Sequence, residues 1–402
     1  MRILINSINY SPELTGIGKY TGEMAEWLAE QGHEVRVVTA PPYYPAWRVA
    51  KGYSAGWYRR EVVAGVAVFR CPLWVPKKPT GLTRILHLCS FAMSCFPLMI
   101  WHGLIWRPNI VFTIEPPLFC APAAWMAARL AGAKAWLHVQ DFEVDAAFEL
   151  GILRSRKLRS AVLAVEKWLL RRFDRVSSIS IRMVERLAGK GVDSSRRVLF
   201  QNWVDTSAIY PLDNVEGFRR ELGIPEDVQI LLYSGNMGEK QGLEILIEAA
   251  KMLSERRDML FILCGEGASR QRLMEMSEGL GNVKFFPLQP MDRLNELLNL
   301  ADIHLLPQRG DAEDLVMPSK LTAILASGRP VIATVREGTQ IANVVKDCGI
   351  VVNPGDVSGL RDAIVTLAGD SGRRSSLGKD GREYAVRNWK KDNVLRQAFP
   401  VK

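Results

Sequence analysis

Gln229-Ile230-Leu231-Leu232-Tyr233-Ser234-Gly235-Asn236-Met237-Gly238-Glu239-Lys240-Gln241-Gly242 is the stretch that decides the fold. An apolar run of strand length, 229–233, breaks into a glycine-rich turn, and the chain beyond Gly242 takes up helical spacing. Strand, glycine turn and helix in that order open a βαβ crossover on a parallel sheet. Further apolar runs follow at 260–264, 283–286, 303–306, 331–334 and 350–352, separated by helix-length amphipathic segments. Upstream, the same alternation has already run through 2–5, 34–39, 110–113, 135–139, 175–178 and 198–201. A rhythm that stops and restarts predicts an α/β protein of two Rossmann-like, doubly wound domains. The polar, proline-marked stretch from Asn202 to Asn214 places their boundary near Asp205, giving domains 1–205 and 206–382. The aromatic and basic tail, 383–402, is expected to pack back on the first domain. Two short runs around Ala64-Gly65, within 61–70, predict a hairpin insertion.

Composition narrows the classes. Of 402 residues 48% are apolar and 24% charged, so core burial can offset the entropy of ordering the chain. The formal charge of +9 points to an anionic partner. Cys71, Cys89, Cys95, Cys120, Cys264 and Cys348 lack metal-ligand spacing and read as core thiols of a reducing, cytoplasmic compartment. The amino terminus turns polar at Asn6, too early for a signal peptide, and reads as a first strand. The most apolar stretch, 91–106, falls short of the roughly 20 residues of a spanning helix and contains Pro97 and His102. Leu158, Val162, Val165, Leu169 and Phe173 recur at helical spacing among Arg154, Arg156, Lys157, Arg159, Lys167, Arg171 and Arg172. Two readings stay open for that segment: a core helix with a solvated face, or a helix docked on an anionic membrane surface. Nucleic acid is disfavoured as a partner, because aromatic residues are not interleaved with the basic ones.

Several motifs carry chemistry. Gly16-Ile17-Gly18 follows the first strand and enters a helix, where glycine permits close approach of backbone amides and the helix start favours an anion. The spacing of Gly16, Gly18 and Gly22 departs from G-x-G-x-x-G, and Thr39 leads into Ala40-Pro41-Pro42-Tyr43 without an acidic ribose partner. Both departures argue against a dehydrogenase. In the second domain Met317-Pro318-Ser319-Lys320 opens a helix closed by Gly328, so free amides, the Ser319 hydroxyl and the Lys320 ammonium converge on a volume suited to a diphosphate. An ordinary capped helix with a surface lysine fits the same residues. The 234–242 turn gathers small residues and Lys240 at another helix start, and ligands of open α/β sheets bind at strand carboxyl ends. In the first domain His138-Val139-Gln140-Asp141-Phe142-Glu143-Val144-Asp145 ends a strand in carboxylates. His138 reads as a core histidine, and Asp141 as the group that orients a hydroxyl or acts as a base.

Taken in order, these segments resemble the family-four retaining glycosyltransferases of the GT-B fold, two Rossmann-like domains facing a central cleft. Tyr10-Ser11-Pro12-Glu13, Gly32-His33-Glu34-Val35-Arg36-Val37-Val38-Thr39, Asn202-Trp203-Val204-Asp205, Gly265-Glu266-Gly267 and Ala326-Ser327-Gly328-Arg329-Pro330-Val331 carry the resemblance. Gly16-Ile17-Gly18-Lys19-Tyr20-Thr21-Gly22-Glu23 and Ala40-Pro41-Pro42-Tyr43-Tyr44-Pro45 are similar in wording to the colanic-acid-type exopolysaccharide glycosyltransferases. The resemblance implies transfer of fucose from GDP-fucose with retention, while the basic helix and the apolar 91–106 run suit a monotopic enzyme at the inner face of a membrane, acting on a lipid-linked saccharide. The resemblance also implies a nucleotide diphosphate sugar as co-substrate, with no further cofactor and no metal.

Local chemistry and resemblance together assign catalytic roles to Asp141, Lys240 and Lys320. They assign donor binding to Gly16, Gly18, Asn236, Gly238, Gln241, Gly265, Glu266, Glu313, Asp314, Pro318, Ser319 and Leu321, and acceptor binding to Tyr10, Glu13, Lys19, Gln140 and Glu143. The chain departs from the family pattern where two glutamates are usual, at Leu315 and Ala323, and where a histidine is frequent, at Gln140. Two alternatives follow: a nucleotide-sugar epimerase of the same architecture, and a nucleotide-sugar-binding subunit without turnover.

Overall fold

The computed structural model describes residues 1–13, 16–77, 80–145, 156–309 and 319–400, and their side chains except those at 156–158, 240 and 319. Two compact units divide between Gln201 and Asn202, four residues before the expected boundary.

The first unit runs β1 (Arg2–Asn6), α1 (Gly16–Glu30), β2 (Glu34–Thr39), β3 (Arg59–Val63), β4 (Val66–Arg70), α2 (Gly81–Trp101), β5 (Ile110–Glu115), α3 (Ala121–Ala131) and β6 (Lys134–Val139). After the next described stretch come α4 (Arg156–Leu170), β7 (Arg175–Ser178), α5 (Ile181–Gly189) and β8 (Arg197–Leu199). The strands form one sheet in the order β3-β4-β2-β1-β5-β6-β7-β8, parallel except for the β3–β4 hairpin. Ala64 and Gly65 both take positive φ, 47° and 79°, which is the turn geometry a two-residue hairpin needs. β1 and β5 are neighbours, so the chain winds outward in both directions from the gap between them.

The second unit runs α6 (Glu216–Glu221), β9 (Gln229–Ser234), α7 (Glu244–Met252), β10 (Met259–Cys264), α8 (Arg270–Met276), β11 (Val283–Phe286), α9 (Leu294–Leu300) and β12 (Ile303–Pro307). It continues with α10 (Ser319–Ala326), β13 (Val331–Thr334), α11 (Gln340–Val345), β14 (Gly349–Val352), α12 (Val357–Ala368), α13 (Ser371–Trp389) and α14 (Lys391–Ala398). Its sheet is all parallel in the order β11-β10-β9-β12-β13-β14, with the switch point between β9 and β12. β10 is buried at every position, as a central parallel strand covered on both faces must be.

The tail corrects an expectation. Through Phe399 it belongs to the second unit, and only from Pro400 is it grouped with the first. Trp389 is buried with Val204, Leu321, Ile324 and Leu325, and a side chain at Gly378 would meet the Gly328 carbonyl. A residue larger than glycine there would drive α13 off α10. The basic segment also differs from its sequence reading. In α4 the buried positions include Glu166, Leu169 and Leu170, while Val165 and Trp168 are exposed. The helix is fixed through an ion pair as well as an apolar stripe.

Candidate functional site

In the second unit the site begins with glycine. Gly235, Gly265 and Gly267 have φ of 131°, 146° and 155°, which a side chain would strain. A Cβ at Gly265 would collide with the Gly235 carbonyl oxygen, and one at Gly267 would sit 2.5 Å from the Met237 carbonyl oxygen. The turns after β9 and β10 are thereby laced backbone to backbone. Gly235 N–H donates to the Cys264 carbonyl at 2.8 Å, Met237 N–H to Glu266 at 2.8 Å, and Ser269 N–H to Met237 at 2.9 Å.

Lys320, in the first turn of α10, reaches across this lacing. Its Nζ donates to the Tyr233 hydroxyl at 2.6 Å and lies 4.4 Å from the centre of that ring. The hydroxyl in turn donates to the Asn236 carbonyl at 2.5 Å. A Cβ at Gly235 would stand 2.6 Å from the Lys320 nitrogen, so glycine makes the room the ammonium occupies. Burial lowers the Lys320 pKa to about 8, and no carboxylate among the described residues pairs with it. A desolvated cation lacking a counter-charge is a preformed half of an ion pair.

Other donor assignments fall in several places. Lys240 and Ser319 have side chains outside the described set, and Glu313, Asp314 and Pro318 lie outside the described residues. Gln241 corrects an expectation, because its Oε1 accepts the Gly238 N–H at 3.1 Å and so braces its own turn. Leu321 is a second correction: its side chain is fully buried, which leaves only its first-turn amide to face a ligand. Glu266 is exposed and sits 3.8 Å from Arg270, and Asn236 is exposed beside the same turn. Gly265 acts through close packing of two turns. A cavity of about 390 Å³ lies alongside, lined by Gly242, Glu244, Glu248, Gln308, Arg309 and Thr334.

In the first unit a cavity of about 300 Å³ opens where the β1, β2, β5 and β6 loops meet the start of α2. Gly16, Asp141 and Glu143 line it, with Tyr43, Trp47, Arg84 and His87. Glu143 Oε2 accepts the Leu118 N–H at 2.8 Å. Burial, reinforced by Asp141, raises the Glu143 pKa against the pull of that N–H and of Arg84. Beneath it the Glu143 N–H is bonded to the fully buried Glu115 carboxyl, whose pKa burial raises well above the ordinary value. The 141–145 segment is anchored from behind. Lys190 Nζ lies 2.7 Å from Glu166 and 3.0 Å from Asp145, and Arg186 Nε lies 3.1 Å from Asp145.

Four of the five acceptor assignments are not brought to this cavity. Tyr10 is buried in the core, where desolvation pushes its hydroxyl pKa up. Glu13 is buried too: Oε1 accepts the Tyr43 and Tyr44 N–H groups at 2.9 Å each, and Oε2 accepts from Asn9 at 2.8 Å. Its carboxylate ties the β1 loop to the β2 loop. Gly18 is the glycine that admits Glu13, since a Cβ there would lie 2.8 Å from the Glu13 Cβ. Lys19 pairs along α1 with Glu23 at 3.8 Å, and Gln140 Nε2 lies 3.0 Å from His138 Nε2. His138 is buried against Ser177 at 2.9 Å, with its pKa lowered to about 3 by desolvation, so it is a neutral core residue. Sequence reasoning passed over Arg84 and Trp47. The available signal was that Arg84 is the one charge within Gly81–Trp106.

Two parallel-sheet domains whose switch points carry these turns define the GT-B class, and solved structures agree. Sucrose-phosphate synthase from Thermosynechococcus elongatus superposes with a TM-score of 0.76 at 20% identity, covering 99% of this chain and 97% of that one. Anabaena HepE in complex with UDP and glucose gives 0.70 at 15% identity, covering 99% and 98%. Residues 15–203 match the glycosyl transferase 4-like domain and residues 214–384 the glycosyl transferases group 1 family, and the chain belongs to these glycosyltransferases. Among its relatives, the Escherichia coli K12 colanic acid biosynthesis glycosyl transferase WcaI is 44% identical over 99% of this chain and 98% of its own length.

Proposed function

We propose that this glycosyltransferase moves fucose from GDP-fucose to a lipid-linked saccharide during assembly of a colanic-acid-type exopolysaccharide. In this reading transfer retains the anomeric configuration and needs no metal. The observation that carries it is Lys320, a desolvated ammonium with no carboxylate partner among the described residues, held by Tyr233 at the β9–β12 switch point. In the reaction the bond from the anomeric carbon to the diphosphate breaks and one to an acceptor oxygen forms. Charge builds on the leaving diphosphate, and a fixed cation with helix-start amides stabilises it without reorganisation. Asp141 and Glu143 line the cavity in which an acceptor hydroxyl would be held. The name of the 44% identical relative supports the pathway, and the UDP complex of a fold neighbour supports a nucleotide sugar as ligand. The enzyme works from the cytoplasmic side, peripheral to the membrane that carries its acceptor.

A calorimetric screen of GDP, UDP, ADP and dTDP with their sugars, followed by transfer assays on a lipid-linked acceptor, tests this reading. GDP-selective binding with fucosyl transfer is the expected result. Preference for another base overturns the donor, and binding without turnover across the acceptor panel overturns the activity.

A further inference from the structure

α2 and the π-helical turn that continues it, Gly81–Trp106, are apolar on both sides. His87, Phe91, Cys95 and Met99 are fully buried at a spacing of four and form the inner face. The opposite face exposes Leu82, Leu86, Met93, Phe96, Trp101 and Ile105, with Met93 77% exposed. A helix committed to a core on one side cannot cross a bilayer, yet it can lie in the plane of one. At 1.5 Å per residue this one is roughly 40 Å long.

Its surroundings say what covers it. Trp57, 79% exposed, neighbours Tyr58, whose hydroxyl donates to the Ser94 carbonyl on α2 at 2.8 Å. Trp74, whose side chain is half-exposed, is held against α2 by its backbone N–H, which donates to the Ser90 hydroxyl at 3.0 Å. Aromatic residues with one polar end, ranged beside an apolar strip, are the anchors of a membrane interface. No Asp or Glu occurs in 45–60 or 71–109, while Lys51, Arg59, Arg60, Lys77, Arg84 and Arg107 do. An apolar strip with basic residues along it and aromatic residues beside it complements an anionic lipid surface.

The same helix borders the first-unit cavity. Arg84, on its first turn, is exposed, lines that cavity, lies 5.8 Å from the Trp47 ring and makes no ion pair with a described carboxylate. We infer that α2 is the bilayer-seated element of this enzyme, its outer face lying among the acyl chains, with Arg84 taking a lipid phosphate at the mouth of the acceptor cavity. This rests on the lipid-linked acceptor reading for the purpose of the cavity, and on the exposed face for the seating. Of the two segments that the sequence offered for a membrane, the basic helix α4 and the apolar 91–106 run, this places the contact on the helix that contains the second.

Flotation of the full-length protein tests the seating, using vesicles of phosphatidylcholine alone or with phosphatidylglycerol. Wild type should float, more strongly with phosphatidylglycerol. Met93→Glu with Trp101→Glu should cut the bound fraction by about tenfold, with an unchanged thermal midpoint and unchanged turnover of a short-chain soluble acceptor. Val165→Glu with Trp168→Glu on α4 should float as wild type. If the α2 pair floats normally, or if the α4 pair alone releases the protein, the inference is wrong. Turnover without flotation would sink the seating and leave the activity, whereas flotation without turnover on any acceptor would do the reverse. Arg84→Gln separates two phosphate sources. Weaker flotation on phosphatidylglycerol marks a headgroup; unchanged flotation with a raised KM for a polyprenyl-phosphate acceptor, rescued by Arg84→Lys, marks the acceptor. If neither moves, Arg84 has no phosphate role.

Discussion

Replacing Lys320 by methionine should make the free protein more stable and the enzyme much worse. The side chain keeps its length and loses its charge. Burial lowers the Lys320 pKa from 10.5 to about 8, and each unit corresponds to 1.36 kcal/mol, so holding the ammonium in the folded protein costs about 3 kcal/mol at pH 7. Loss of its bond to Tyr233 takes back about 1.5 kcal/mol, leaving a net gain of about 1–2 kcal/mol. For a unit the size of residues 202–399 that gain raises Tm by about 3–6 °C. Between pH 8 and 10.5 the unfolded chain binds the proton more tightly than the folded one, so wild-type stability rises with pH across that window. The methionine variant should lack that rise. A diphosphate pairs with the protonated form, so kcat/KM for the donor should fall as pH climbs through about 8 in wild type. Loss of the cation should lower kcat/KM by about 10²–10³-fold at neutral pH. The assays are denaturant unfolding against pH and initial rates against donor concentration. A variant less stable than wild type, with donor kinetics unchanged, would refute the view that Lys320 is a desolvated cation, without a carboxylate partner among the described residues, awaiting an anion.

Gly265→Ala places a methyl against the Gly235 carbonyl at a φ of 146°, and should destabilise the second unit by about 3 kcal/mol or more in denaturant melts. Glu115→Gln should stabilise the protein above the ordinary carboxylate range and flatten its pH dependence there. The folded carboxyl binds its proton more tightly than the unfolded one, so wild-type stability declines as pH rises, and pH-resolved melts of both proteins would show it. Lys190→Met leaves Glu166 and Asp145 without their shared cation, and should cost about 3–5 kcal/mol by urea unfolding. In the conditions where that variant stays folded, its KM for acceptor should rise while its KM for donor stays put.

Legibility followed from how local each cause is. Strand, glycine turn and helix are neighbours in sequence, so both sheets and the hairpin at Ala64-Gly65 were readable from spacing. The position of Lys320 in the first turn of a helix was readable for the same reason, whereas its bond to Tyr233 was not. What spacing did not show was the use each polar group finds at long range. Glu13 reads as a free carboxylate in a glycine-rich loop, and folding brings three donors to it, two of them about thirty residues away. Gln241 and Gln140 likewise turn to neighbours that only the fold supplies. Apolar stretches mislead in the opposite direction, because a run such as Gly81–Trp106 has no polar face to reveal which side meets the core. The burial of His87 and His102 on the inner face and the exposure of Met93 and Trp101 outside resolve it. His87 marks the inner side directly, through its bond to the Trp74 carbonyl at 2.7 Å, and spacing within the run does not show that partner.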